Sequence, residues 1–225
     1  MEIAAAKDLK IGQIVEETLD VIERNALPLI AYVLVLVLVN GALAWFGLNY
    51  TSMVQQLGKS FIGFLIGVAA AFLVMVTMLR RSGLLARDAD DSMLSFVLLM
   101  VLTALGVLGG FILVIFPGFY LMARWSIAQP LLLTRGLGPV EAMKASWELT
   151  SGSEFAILVV YVVLVVVQVG AGFAAGSSLG QDNLLGIAVI QTVSSLLGAI
   201  GMALVVALYR LIVGREQSQM AETFR

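Results

Sequence analysis

The stretch Phe116-Pro117-Gly118-Phe119-Tyr120-Leu121-Met122-Ala123-Arg124-Trp125 lies inside the longest apolar run of the chain, from Met93 to Thr134, and decides how the chain meets a membrane. That run is about twice the roughly 20 helical residues that cross a hydrocarbon core. Pro117 lacks an N–H and disfavours helix at Phe116, and Gly118 supplies a flexible joint, so the expectation is a helix break at Pro117 and Gly118 on the outer side. The break divides the run into two crossings and leaves Arg124 inside the second.

The composition points the same way. Over 225 residues, 60% are hydrophobic and only 12% charged, and the mean hydropathy is +1.03, far from an ordinary globular domain and consistent with an integral membrane protein. Thirteen bases against fifteen acids leave a net charge of −2, so neither nucleic acid nor a strongly anionic surface is an implied partner. Cys and His are both absent, which removes disulfides, thiolate nucleophiles, imidazole metal ligands and the usual general base. No catalytic residue, cofactor site or metal site is therefore expected. Asp88, Asp90 and Asp91 form the one dense acidic cluster, but they lack the Gly turn and distal Glu of a calcium loop and read as a cap for the helix that follows.

The chain reads as a single membrane domain, all-α, over 1–225. Residues 9–24 place Ile11, Ile14, Val15, Thr18, Leu19 and Ile22 on one stripe of an amphipathic helix too polar to span. Spans are expected at about 26–48, 61–79, 93–116, 118–134, 155–176 and 184–209, with a second amphipathic helix at 138–150. An acidic lead-in before the first span argues for an uncleaved transmembrane helix rather than a signal peptide. The non-spanning segment at 81–92 is the poorest of three surface segments expected before spans one, three and five. The likeness of Val15-Glu16 through Ile22-Glu23 to Val140-Glu141 through Trp147-Glu148 suggests a repeat of that unit.

Charge placement tests the count. With the N-terminus inside, Lys7, Lys10, Arg24, Arg80, Arg81, Arg87, Arg135, Lys144, Arg210, Arg215 and Arg225 all fall on the inner side. Only Lys59 falls outside, and Arg124 lies within the membrane. The positive-inside rule thus favours six transmembrane helices with both termini cytoplasmic.

The segments Phe116-Pro117-Gly118-Phe119-Tyr120-Leu121, Arg124-Trp125, Pro130, Gly138-Pro139-Val140-Glu141-Ala142 and Ser146-Trp147-Glu148-Leu149-Thr150 resemble a recurring pattern. It is that of the membrane domain attached to some bacterial glycerophosphoryl diester phosphodiesterases, which also has stand-alone relatives. The resemblance implies a six-helix protein of the bacterial inner membrane. It does not imply phosphodiesterase activity, because in the fused relatives catalysis belongs to a soluble barrel with His and carboxylates around a metal, and this chain has no His.

Counting residues from the outer ends of the spans puts Arg124, Asn40, Gln168 and Gln191 at one depth, as a candidate intramembrane polar layer. No carboxylate is expected there, leaving amides and helix carbonyls to accept from the guanidinium. Three roles are open: a structural knot, an anion or lipid-headgroup site, and an arginine that reaches to the interface beside Tyr120 and Trp125. Gly63 and Gly67, Gly106 and Gly110, and Gly172 and Gly176 read as close-packing pairs. Val140, Met143 and Trp147 share a face of the 138–150 helix, the expected docking face.

These features favour a non-enzymatic inner-membrane protein that associates with or organises other membrane proteins or lipids, with self-association included. One alternative is a small transporter or channel for an anionic or amphiphilic solute, using the Arg124 layer. A second is a lipid-modifying enzyme, which the missing His and Cys disfavour.

Overall fold

A computed structural model describes residues 9–47, 52–85, 93–113, 115–179 and 184–223. All secondary structure among them is helical. The elements are α1 (Ile11–Arg24), α2 (Ala26–Gly47), α3 (Met53–Arg81), α4 (Met93–Leu113), α5 (Ile115–Arg124), α6 (Ala128–Arg135), α7 (Pro139–Leu149), α8 (Glu154–Leu179) and α9 (Leu184–Thr223).

The amphipathic α1 buries Ile14, Thr18 and Val21 against the later part of α9 and the start of α8. Asn25 joins it to α2: its side-chain amide donates to the Val21 carbonyl at 3.0 Å, and its own carbonyl accepts from Leu29. Pro28 falls in the first turn of α2, where a missing N–H costs no helical bond. At the other end of the first hairpin, the Ser52 hydroxyl accepts from the Gln55 N–H and caps α3.

The apolar core gathers at one end of the bundle. It is built from Val74 to Leu79 of α3, Phe96 and Leu99 of α4, Leu131 to Leu133 of α6, Ile157 of α8 and Ala203 to Leu208 of α9. Phe72 meets Phe96 edge to face, with ring centroids 5.4 Å apart. Away from that end the helices are barer, and only 6% of the most apolar stretch of α2, 17% of that of α4 and 11% of that of α8 is buried, against 39% for α3 and 50% for α9. Such bare apolar helices are at home in hydrocarbon, not water.

Five described helices are long and apolar enough to cross a membrane. The expected crossing at 118–134 is instead two short helices, α5 and α6, joined by a turn at Trp125 to Ile127. The cause is Pro130: with no N–H, and with a ring that crowds the carbonyl four residues back, it prevents α5 from continuing through it. The turn keeps its own bonds, from the Ser126 N–H to Ala123 and from the Ala128 N–H to Trp125. At 10 and 8 residues, neither helix alone is long enough to span.

The expected break at Pro117 and Gly118 also moves. Phe116 and Pro117 are helical, within the first turn of α5, where the proline again forfeits nothing. α4 ends at Leu113 and α5 begins at Ile115, and Gly118 becomes a packing position. A Cβ on Gly110 would meet the Gly118 Cα and N at 2.9 Å, and one on Gly118 would meet the Phe111 ring at 2.5 Å. Gly106 is equally tight against Trp125, whereas nothing lies within 4 Å of a Cβ on Gly67 or Gly172. Of the expected glycine pairs, only the one on α4 serves close approach at both members. Gly83, with φ +68°, ends α3 in the left-handed region that glycine tolerates. The acidic cluster of Asp88, Asp90 and Asp91 and most of the 81–92 segment lie outside the described residues.

Candidate functional site

Arg124 is the last residue of α5, so its carbonyl has no partner within the helix. Two hydroxyls at the end of α7 lie against it: Ser146 Oγ donates to it at 2.8 Å, and Thr150 Oγ1, which also reaches the Ser146 carbonyl at 2.8 Å, lies at 3.2 Å. The guanidinium turns over the Trp147 ring, 4.5 Å from its centroid, and lies 5.6 Å from that of Tyr120. Its Nη1 is 3.8 Å from Glu154 Oε2, the first residue of α8, and the arginine side chain is only 8% exposed. That separation gives attraction without a hydrogen bond. Arg124 Nε and Nη1, Glu154 Oε2 and Ser126 Oγ are buried and have no hydrogen-bond partner among the described residues, a concentration of unmet polar atoms that is uncommon in native interiors.

Glu154 corrects the expectation that no carboxylate reaches Arg124. The polar layer corrects with it. Asn40 donates to the Leu36 carbonyl of its own helix at 2.9 Å, Gln168 donates to Ser194 Oγ across α8 and α9 at 3.0 Å, and Gln191 is half-buried on α9. None of the three is a partner of Arg124. Counting depth along an unbroken span misplaced the arginine: it sits beside the first residue of α8, and Gln168 lies about 21 Å further along that helix at 1.5 Å per residue.

The docking face of α7 also differs. Ala142 and Ser146 are fully buried, while Val140 is 54% and Trp147 36% exposed. Small residues win this contact because the two hydroxyls must come close enough to cap Arg124. The spacing of Ala142, Ser146 and Thr150, four apart, was the sequence signal for it. Val140, Met143 and Trp147 instead line a recess of about 490 Å³ between α7 and α4, together with Leu102, Gly106, Trp125, Lys144 and Glu148. Trp147 is braced by Tyr120, edge to face at 5.7 Å, and by Trp125 at 6.5 Å.

A second polar cluster was missed by sequence reasoning. Arg210 Nη1 of α9 reaches Glu17 Oε1 at 2.7 Å and Asp20 Oδ2 at 3.1 Å, and Asp20 Oδ1 accepts from Arg24 Nε at 2.8 Å. Hydrogen bonds from Arg24 and then Arg210 hold the Asp20 carboxyl below its ordinary value, while Asp20 raises Arg24. The acidic polar face of α1, odd for a lipid-binding helix, is thereby matched by a base on the bundle. Acids at i and i+3 with a base at i+7 were visible, but the partner lies 190 residues away.

Among the described residues no group of three or more acids could hold a metal ion. Residues 95–216, more than half of the chain, match the family model described as the membrane domain of glycerophosphoryl diester phosphodiesterase. No curated protein and no solved structure matches. Arg124, Trp147, Glu154 and the α4–α7 recess all fall within the matched residues, whereas the carboxylates that hold Arg210 precede them.

Proposed function

Because the chain belongs to the family of the membrane domain of glycerophosphoryl diester phosphodiesterase, we propose that it is a non-enzymatic membrane module that associates with, and helps organise, other membrane proteins or lipids. The observation that carries this reading is the division of labour among its helices. Most of the core lies on α3, α6 and α9, while α2, α4 and α8 leave most of their apolar surface to whatever surrounds them. In this reading the α5–α6 pair completes a sixth crossing in a bacterial inner membrane and both termini face the cytoplasm, as the distribution of bases supports. With no native Cys, single cysteines placed at Lys59 and Arg135 test the sidedness: labelling of both from the same side overturns it.

The function itself is tested by purification in mild detergent from native membranes, with the particle mass and bound lipids measured. Expected is a particle heavier than one chain plus detergent, carrying lipid or protein in fixed proportion. A bare monomer carrying only bulk-like lipid sinks the proposal. A second reading, a path for an anionic or amphiphilic solute, draws on the unmet donors of buried Arg124. Anion flux into liposomes that is unchanged by Arg124→Gln removes it.

A further inference from the structure

We propose that the α4–α7 recess is a binding site for one zwitterionic phospholipid, with its phosphate on Lys144, its headgroup ammonium on Glu148 and an acyl chain along Leu102 and Gly106. This deepens the association reading above and rests on it. A volume of about 490 Å³ lies within the roughly 300–1,000 Å³ of small-molecule sites, and the mostly apolar lining with few polar groups is their usual composition.

The walls are held from behind. A Cβ on Gly106 would lie 2.5 Å from Trp125, so that indole already rests on the α4 backbone and forms a fixed edge. Trp147 has the buried Arg124 guanidinium 4.5 Å from its ring centroid and the Tyr120 ring against it. A site whose shape is maintained by such neighbours loses little conformational freedom when it is filled.

The lip sets the headgroup. Lys144 and Glu148 are both exposed and one helical turn apart, with no ion pair between them among the described contacts. Lys preceding Glu is the less favourable order for such a pair. One free cation beside one free anion complements a headgroup that carries both signs, and the anion repels a headgroup with only negative charge. Leu102 of the lining shares a stripe of α4 with Leu98 and Leu105, which are 47% and 62% exposed. The recess is therefore continuous with the bare apolar surface that faces hydrocarbon, while its charged lip belongs at the headgroup level.

The test is native mass spectrometry of the full chain after reconstitution into vesicles of equal phosphatidylethanolamine and phosphatidylglycerol, followed by mild-detergent extraction. One phosphatidylethanolamine per chain is expected, enriched about tenfold over phosphatidylglycerol, the equivalent of one charge-assisted hydrogen bond. Met143→Trp, which puts a bulkier side chain into the recess, should cut retention severalfold in a chain that still folds. The exposed pair Lys144→Ser with Glu148→Ser should keep the fold and lose the selectivity. Equal retention of the two lipids, undiminished retention in a folded Met143→Trp, or a crosslink from position 144 to a second copy each overturns the proposal. Lipid bound in fixed proportion but insensitive to these variants removes the recess and leaves the broader association reading standing. No bound component of any kind removes both.

Discussion

Gly109 and Gly110 are neighbours on α4, yet alanine at the two positions should act with opposite sign. At Gly110 the new methyl meets the Gly118 Cα and N at 2.9 Å and Leu121 Cδ1 at 3.1 Å, while ordinary contact begins at 3.4 Å. Two of the three obstructing atoms are backbone, so no rotamer relieves the clash, and α4 and α5 must part by about half an ångström. Overpacking of this kind costs about 1–3 kcal/mol, offset by the ~0.5–1 kcal/mol that alanine gains over glycine in a helix. The net loss, taken from the middle of each range, is about 1 kcal/mol. At Gly109 nothing lies within 4 Å of the methyl, and only the gain of ~0.5–1 kcal/mol remains. A chain of this size shifts by about 2–4 °C per kcal/mol, so melting curves of the two variants in one detergent should separate by several degrees, on either side of the parent. If both raise the melting temperature equally, the α4–α5 close approach is wrong. Gly106→Ala should destabilise as well, because its methyl would meet the Trp125 ring at 2.5 Å, and the indole fluorescence should shift.

Arg124→Gln should destabilise by about 1–3 kcal/mol, through loss of its contact with the Trp147 face and its attraction to Glu154; an unchanged detergent melt would contradict the buried cluster. Tyr209→Phe removes the 2.6 Å hydroxyl contact to Thr134, but Thr134 keeps its 2.7 Å bond to the Pro130 carbonyl, so a loss of about 1 kcal/mol is expected in the same assay. The link between α1 and α9 should respond to acid. A carboxyl whose value is lowered on folding adds stability that is complete above its unfolded value and fades as pH falls through the folded one. Asp20 is depressed from 3.8, so the link should hold in mild acid and loosen only below about that pH. Hydrogen exchange of the α1 amides, corrected for the intrinsic rate at each pH, should quicken there and not before.

Most helix boundaries were legible because apolar length and periodicity are local properties. α1, α2, α4 and α7 fall within a few residues of their expected ranges, and α8 and α9 run past theirs. What misled was chain direction around two prolines. Pro117 looked like a break and proved to be a helix start, while Pro130 was read as part of a span and proved to interrupt it. Since depth had been counted along that span, Arg124 was assigned to amides it never meets and denied the carboxylate it faces. The α7 contact failed for another reason: large apolar residues were assumed to dock, but satisfying an orphan carbonyl required the small hydroxylated face. Arg210 was legible as a base and invisible as a partner, since nothing local ties it to Glu17 and Asp20.

That last separation bears on how the molecule is made. The Leu9 N–H binds the Ser153 hydroxyl at 3.2 Å, 144 residues later, and Asp20 meets Arg210 across 190. During synthesis α1 emerges well before either of its anchors is translated. Its apolar stripe must therefore wait, resting on the bilayer or on a chaperone, until the final hairpin inserts. A ribosome stalled before Arg210 would leave the opening helix undocked, and a quality-control protease could read that free helix as the mark of an unfinished chain.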